Sequence, residues 1–243
     1  MKELSNHLSS TPWLYKNLIY LTVVGSIGYG TNVVSSDTDY RGIFIPPKEV
    51  LYSFHNNFDY FEKSEPDIAI FSLKKFFNLA VNCNPNIIEI LFSDSKDHVF
   101  VSSLGQKLID NRNLFLSKKL KFSFGGYAVS QIKRLSKQTY NNPKAYKHAM
   151  HLIRLLKMSK EILDTGEVLV KRPDAQELLE IRAGKLSYEE LLEWVDNQEK
   201  LIEFSFKNSS LPHSPNMPIL DELFQNIIEQ HLSAARAVPT LDM

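Results

Sequence analysis

The chain has 243 residues, 28 Lys plus Arg against 28 Asp plus Glu, and 43% apolar residues. That length suits one large domain or two small ones sharing a core, and zero net charge supplies no global drive for non-specific nucleic-acid binding. One cysteine, Cys83, excludes a disulfide framework and a cysteine-based zinc site, and no apolar run reaches membrane length or forms a signal-like start, so a soluble cytoplasmic protein is expected.

In chain order, Leu4 to Leu8 suggests a short helix broken at Pro12. Leu18 to Val24 is β-branched, apolar and ends at Gly25, as a buried strand does. Thr38 to Ile45 reads as a second strand stopped by Pro46 and Pro47, and Tyr52 to Glu62 as a loop or ragged strand. Asp67 to Phe71 alternates like a third strand, and Ser72 then caps a helix with Leu73, Phe76, Phe77 and Ala80 on one face. Asn84 and Pro85 break it before another turn or short helix beginning over Asn86 to Phe92. Beyond Leu104 the pattern is helical. Helices are predicted over Leu104–Asn111, Leu116–Gln138, Pro143–Thr165, Asp174–Ala183, Tyr188–Phe206 and Pro218–His231, with a capping box at Ser187 and Glu190. The expectation is an α+β fold: a small mixed sheet over 1–103, a helical region over 104–232 closing a cleft, and a disordered tail over 233–243.

The chemistry concentrates between Val24 and Ile45. A turn carrying Gly25, Ser26, Gly28 and Gly30 precedes Asp37 and Asp39. In a strand, side chains at i and i+2 share a face, so two carboxylates would point together beside a turn rich in free N–H groups. That arrangement suits a divalent cation bridging to nucleotide phosphates, and so phosphoryl or nucleotidyl transfer. A Walker A loop would need Lys where the chain has Gly30 followed by Thr31. A Rossmann fingerprint would open a helix and a kinase loop would need H-R-D and D-F-G downstream, whereas Asn32 to Ser36 leads to a second strand.

Gly25-Ser26 followed by Asp37-Thr38-Asp39 resembles the DNA polymerase β-like nucleotidyltransferase superfamily. The segments G-S-I-G-Y-G-T, S-D-T-D-Y-R-G, S-L-K-K-F-F, N-P-N-I-I-E-I-L-F, G-G-Y-A-V-S-Q-I-K-R-L and K-H-A-M-H-L-I-R-L-L resemble, more narrowly, the nucleotidyltransferase family associated with RNA repair and also found in phages. The resemblance implies a polymerase β-like palm, with Gly25 and Ser26 on the β- and γ-phosphates. It implies Asp37 and Asp39 on two Mg²⁺ ions, for which Mn²⁺ can substitute, and a third metal carboxylate. Asp67 is the candidate third acid, with Asp59, Glu62 and Glu65 as fallbacks. An NTP such as ATP is the implied donor, and an RNA end, for instance a cleaved tRNA, the implied acceptor.

Gly28, Arg41, Lys74, Lys147, His151 and Arg154 are further candidates for holding the NTP. Arg41 follows Asp39 by two and suits either a metal-site carboxylate, a phosphate or a structural ion pair. His148 and His151 have zinc-like spacing without convincing co-ligands. Glu89, set among Ile88, Ile90 and Leu91, reads as a buried acid, a cleft acid or a helix-surface residue. Tyr127, Gln131, Lys133 and Arg134 are acceptor-binding candidates near the basic cluster of Lys118, Lys119, Lys121 and Lys137. Two other functions share these residues: nucleotidylylation of a protein or small molecule, and a catalytically silent NTP- or RNA-binding module. Base preference, templating and oligomeric state are not legible.

Overall fold

In the computed structural model, described over residues 11–136 and 139–237, Leu18–Val24 forms β1, an interior strand of a five-stranded sheet. The remaining strands are β2 (Asp39–Phe44), β3 (Tyr60–Lys63), β4 (Ile68–Ser72) and β5 (His98–Val101), in the order β3-β4-β2-β1-β5. β1 pairs antiparallel with both β2 and β5, whereas β2 and β4 run parallel. The fold is α+β, as expected. β3 comes from the ragged Tyr52–Glu62 stretch, and β5 lies where no strand is predicted. All four β5 residues are half-buried, so that strand lacks the strong apolar alternation that would mark it in sequence.

Alternation along β1 and β2 separates two cores. Tyr20, Ile43 and Ile45 face the larger cluster with Phe76, Ile90 and Leu108, while Leu21 and Phe44 face a smaller one with Leu14, Ile68 and Ile70. The smaller core is closed by α1 (Pro12–Lys16), where Trp13 packs edge-on against Phe58 at 5.0 Å. Pro12 therefore opens a helix: it sits in the first turn, where its missing N–H costs nothing. The predicted helix over Leu4 to Leu8 lies outside the described residues, as does Lys137.

The glycine segment forms a short helix, α2 (Gly25–Tyr29), ended by Gly30 at φ 74°, rather than an irregular turn. Its glycines do open a helix; what separates it from a Rossmann unit is the antiparallel β1–β2 pairing that follows. After α3 (Lys48–Leu51), α4 (Leu73–Ala80) starts at Ser72, whose hydroxyl accepts from the Lys75 N–H at 3.1 Å. α5 (Pro85–Leu91) is capped by Asn84. Its end is tied to β1 through Tyr20 and Thr22, whose hydroxyls meet Ser93 Oγ at 2.7 and 3.0 Å. α6 (Ser103–Asp110) follows β5.

The helical half holds α7 (Leu120–Ile132), α8 (Pro143–Thr165), α9 (Ala175–Arg182), α10 (Tyr188–Asn208) and α11 (Met217–Ala237). The capping box at Ser187 and Glu190 forms, with the Ser187 N–H donating to the carboxylate at 2.8 Å. α7 is shorter than the predicted Leu116–Gln138 at both ends: a loop and turn over 116–119 follow a 3₁₀ turn at Arg112–Phe115, and the helix stops at Ile132. α11 continues past His231 to Ala237, and residues 238–243 lie outside the described part. One buried cluster runs continuously from Ile19 in the sheet through Leu152 and Leu156 to Ile227.

The approach of α6 to the sheet depends on Gly105, where a Cβ would lie 2.2 Å from the Ile19 carbonyl oxygen. Gly105→Ala is expected to lower stability by about 1–3 kcal/mol through this backbone clash. Urea unfolding followed by circular dichroism measures it.

Candidate active site

A cleft of about 330 Å³ opens at one end of the sheet, lined by Gly25, Ser26, Asp37, Asp39 and Arg41, and across from them by Lys147, His151 and Arg182. Asp39 starts β2 opposite Val24, so its side chain lies against the first residue of α2. A Cβ on Gly25 would stand 2.1 Å from Asp39 Oδ2, and Gly25 has φ +65°. Glycine is thus required there twice, for conformation and for space. No side chain caps the first turn of α2, which leaves its leading N–H groups beside the carboxylates. Asp37 lies in the loop just before β2, exposed, and lines the same cleft.

Asp39 and Arg41 occupy alternate positions of β2, on the face that continues into Ile43 and the larger core. Asp67 immediately precedes β4, whose Ile68 pairs with Tyr40, so Asp67 stands beside Asp39. Arg41 takes both oxygens of Asp67, Nη1 to Oδ1 and Nη2 to Oδ2 at 2.9 Å each. Burial, followed by the Asp67 charge, raises the Asp39 pKa, against the pull of Arg41 and Lys147. A carboxylate destabilised in this way is suited to a cation.

The floor of the cleft is a buried triad. Arg154 of α8 forms an ion pair with Glu89 of α5, and the two side chains are 4% and 3% exposed. Tyr29, at the end of α2, donates its hydroxyl to Glu89 Oε2 at 2.6 Å, and the Arg154 guanidinium stacks 3.7 Å from the centre of its ring. Burial pushes the Tyr29 phenol well up, keeping it a donor. Burial disfavours the Arg154 charge, but Glu89 and Tyr29 outweigh it and the pKa rises. His151 packs edge-on to Tyr29 at 6.5 Å. Burial and then the positive charge of Arg154 and Lys147 lower its pKa to about 3, so it is neutral at physiological pH.

Several candidates therefore meet and others do not. Gly25, Ser26, Asp37, Asp39, Arg41, Lys147 and His151 share the cleft. Gly28 is buried within α2 and does not line the cleft, and Arg154 is sequestered by Glu89. Lys74 lies instead in a hollow against α11, beside Phe77 and Phe224. Tyr127, Gln131 and Arg134 line an adjoining groove that Lys133 does not reach. Tyr29 and Asn86 also line the cleft and lie inside the motif segments quoted above, though neither is a site candidate there, whereas Arg182 lies outside every such segment. Glu89 carries a sequence signal: an acid inside an apolar run.

The model of the RNA repair pathway DNA polymerase beta family, RlaP, matches residues 1–231. The chain belongs to this family. An uncharacterized protein of Methanocaldococcus jannaschii is 31% identical over 163 residues, which cover 61% of each chain. A nucleotidyltransferase-like protein from Exiguobacterium sibiricum aligns over 86% of this chain and 75% of its own, at 13% identity and a TM-score of 0.30. The family assignment rests on the family model alone.

As to a metal, Asp37 and Asp39 meet in the cleft, and the raised Asp39 pKa fits a cation there. Among the described residues no three acidic, His or Cys side chains converge at ligand spacing, and both oxygens of Asp67 accept from Arg41.

Two outcomes follow. Glu89→Ala, or Arg154→Ala, leaves a buried charge without its partner and is expected to cost about 3–5 kcal/mol in urea unfolding. The Asp39 pKa is raised in the folded state, so its charge lowers stability as pH rises through the folded pKa. Asp39→Asn should therefore raise Tm at pH 7, and the gain should vanish below the ordinary carboxylate range, where both states are protonated. Differential scanning calorimetry between pH 3 and 7 checks the sign.

Proposed function

We propose that the chain moves a nucleoside monophosphate from an NTP to an acceptor hydroxyl, an RNA end, and releases pyrophosphate. The observation that carries this reading is the contact between Gly25 and Asp39, which sets the start of the glycine helix beside the carboxylate pair in one cleft. The family match supports the class of chemistry, and the RNA-repair setting of the family supports the acceptor.

In this reading the N–H groups of Gly25 and Ser26 and the Ser26 hydroxyl take the terminal phosphates, and Lys147 and Arg182 face them across the cleft. Asp37 and Asp39 would hold Mg²⁺, or Mn²⁺ in its place; a bound divalent ion supplies charge neutralisation and lowers the pKa of an attacking hydroxyl. A second ion would draw on Asp67, which must then exchange Arg41 for metal. The acceptor oxygen bonds to the α-phosphorus as the bridge to the β-phosphate breaks; pyrophosphate leaves and the hydroxyl proton passes to water. Neutral His151 can donate a hydrogen bond without adding a charge. Tyr29, Glu89 and Arg154 act as positioning residues, fixing the end of α2.

Incubation of the protein with Mg²⁺, total RNA and each α-³²P-labelled NTP in turn is expected to label RNA. The Asp37→Asn/Asp39→Asn variant should lose at least about a hundredfold in rate, the scale of removing one electrostatic contributor to a transition state. Ribonuclease-resistant, protease-sensitive label would instead make a protein the acceptor. Triphosphate binding with no label and no pyrophosphate would make the chain a silent binding module.

A further inference from the structure

The cleft does not end at His151. A groove of about 580 Å³ opens beyond it between α7 and α8, sharing Tyr29, Asn86, Lys147 and His151 with the cleft. A third hollow of about 500 Å³ continues it, sharing Arg134, Lys144 and His148 with the groove. Each is larger than the cleft itself.

The charge along this path is one-sided. Its ionisable side chains besides Tyr29 and Tyr127 are Arg134, Lys144, Lys147, His148, His151 and Arg154, with no carboxylate among the described lining residues. In a chain whose charges balance, such segregation is a local device rather than a consequence of composition. Arg154 is neutralised by Glu89, but Arg134, Lys144 and Lys147 form no ion pair among the described residues. They converge on His148, whose pKa is lowered by burial and then by those three charges in turn. The Tyr127 ring lines the same groove, its hydroxyl accepting from Asn84 Nδ2 at 2.9 Å, while Gln131 Oε1 meets His148 Nδ1 at 2.8 Å. Free cations spaced along a groove beside an anchored aromatic ring form the pattern that holds a single strand by its phosphates and stacks a base.

We propose that this groove is the track of a single nucleic-acid strand, RNA in the reading above, whose terminal hydroxyl enters the cleft past Lys147. The inference rests on the cleft being the transfer site, but strand binding is measurable without transfer. The probe is a fluorescein-labelled ten-nucleotide RNA, titrated with the full chain by anisotropy from 50 to 300 mM KCl and without NTP.

Arg134→Ala/Lys144→Ala is expected to bind about tenfold more weakly at 50 mM salt. Its slope of log affinity against log salt should be smaller by about 1.4, roughly 0.7 for each lost phosphate contact. Arg134→Lys/Lys144→Arg should keep both values, and the alanine variant should bind a non-hydrolysable ATP analogue as the wild type does. Unchanged RNA binding in the alanine variant would overturn the proposal. So would loss of analogue binding in place of RNA binding, which would assign the groove to the triphosphate. Equal affinity and salt slope for polyglutamate would overturn it in favour of an acidic protein. A failure to label RNA would count against transfer alone and leave this readout standing.

Discussion

The ion pair between Glu89 and Arg154 ties together parts of the chain that would otherwise meet only through apolar contact. Glu89 belongs to the short helix that closes the α/β half, Arg154 to the long helix of the C-terminal half, and Tyr29 to the end of the glycine segment. Burying two charges is expensive, and an apolar pair of similar volume could match or exceed the stability gained. A dispersive contact, however, would tolerate sliding. The hydroxyl of Tyr29 donating to Glu89 and the guanidinium lying on the Tyr29 ring set both the position and the rotation of α2. The same segment is held from further along the chain: the Arg172 N–H donates to the Tyr29 carbonyl at 3.0 Å and Arg182 reaches the Thr31 carbonyl at 3.2 Å. The helical half thus acts as the mould for the glycine segment as well as a lid over the sheet.

At the other end of α2, geometry is set by exclusion. The carboxyl of Asp39 occupies the volume that any side chain at position 25 would need. Asp67 and Arg41 then fix the electrostatics from the neighbouring strand: Arg41 neutralises Asp67, while Asp39 keeps its unfavourable charge. A cation bound beside Asp39 would offset the cost of that charge, so stability and cation affinity would be linked through one carboxyl group. A cleft with carboxylates on the sheet side and Lys147 and Arg182 on the helix side is polarised across its width. The groove beyond it, lined by cations without acids, extends the positive side only.

Much of this was legible from local pattern. The strand over Leu18–Val24, the caps at Ser72, Asn84 and Ser187, and the helix over Pro143–Thr165 follow from β-branched runs, side-chain acceptors and proline placement. Each of these signals acts within about four residues. β5 was not legible, because its four residues are half-buried and its pairing with β1 spans nearly eighty positions. Nor was the helix at Gly25: two glycines in five residues argue against helix on propensity, and packing of Tyr29 decides otherwise.

For the site, the sequence by itself determined that Gly25, Ser26, Asp37 and Asp39 come close together, since a turn and a strand start fix their separation within fifteen residues. Only the tertiary structure decided what surrounds them. It placed Lys147 and His151 across the cleft, withdrew Arg154 into a pair with Glu89, engaged Asp67 with Arg41 and carried Lys74 to a different surface. The physical reason is that charge pairing depends on which helix packs against which face. An arginine reads the same in sequence whether it meets a phosphate or a buried glutamate 65 residues away, and the placement of α8 within ion-pair reach of Glu89 on α5 chose between them.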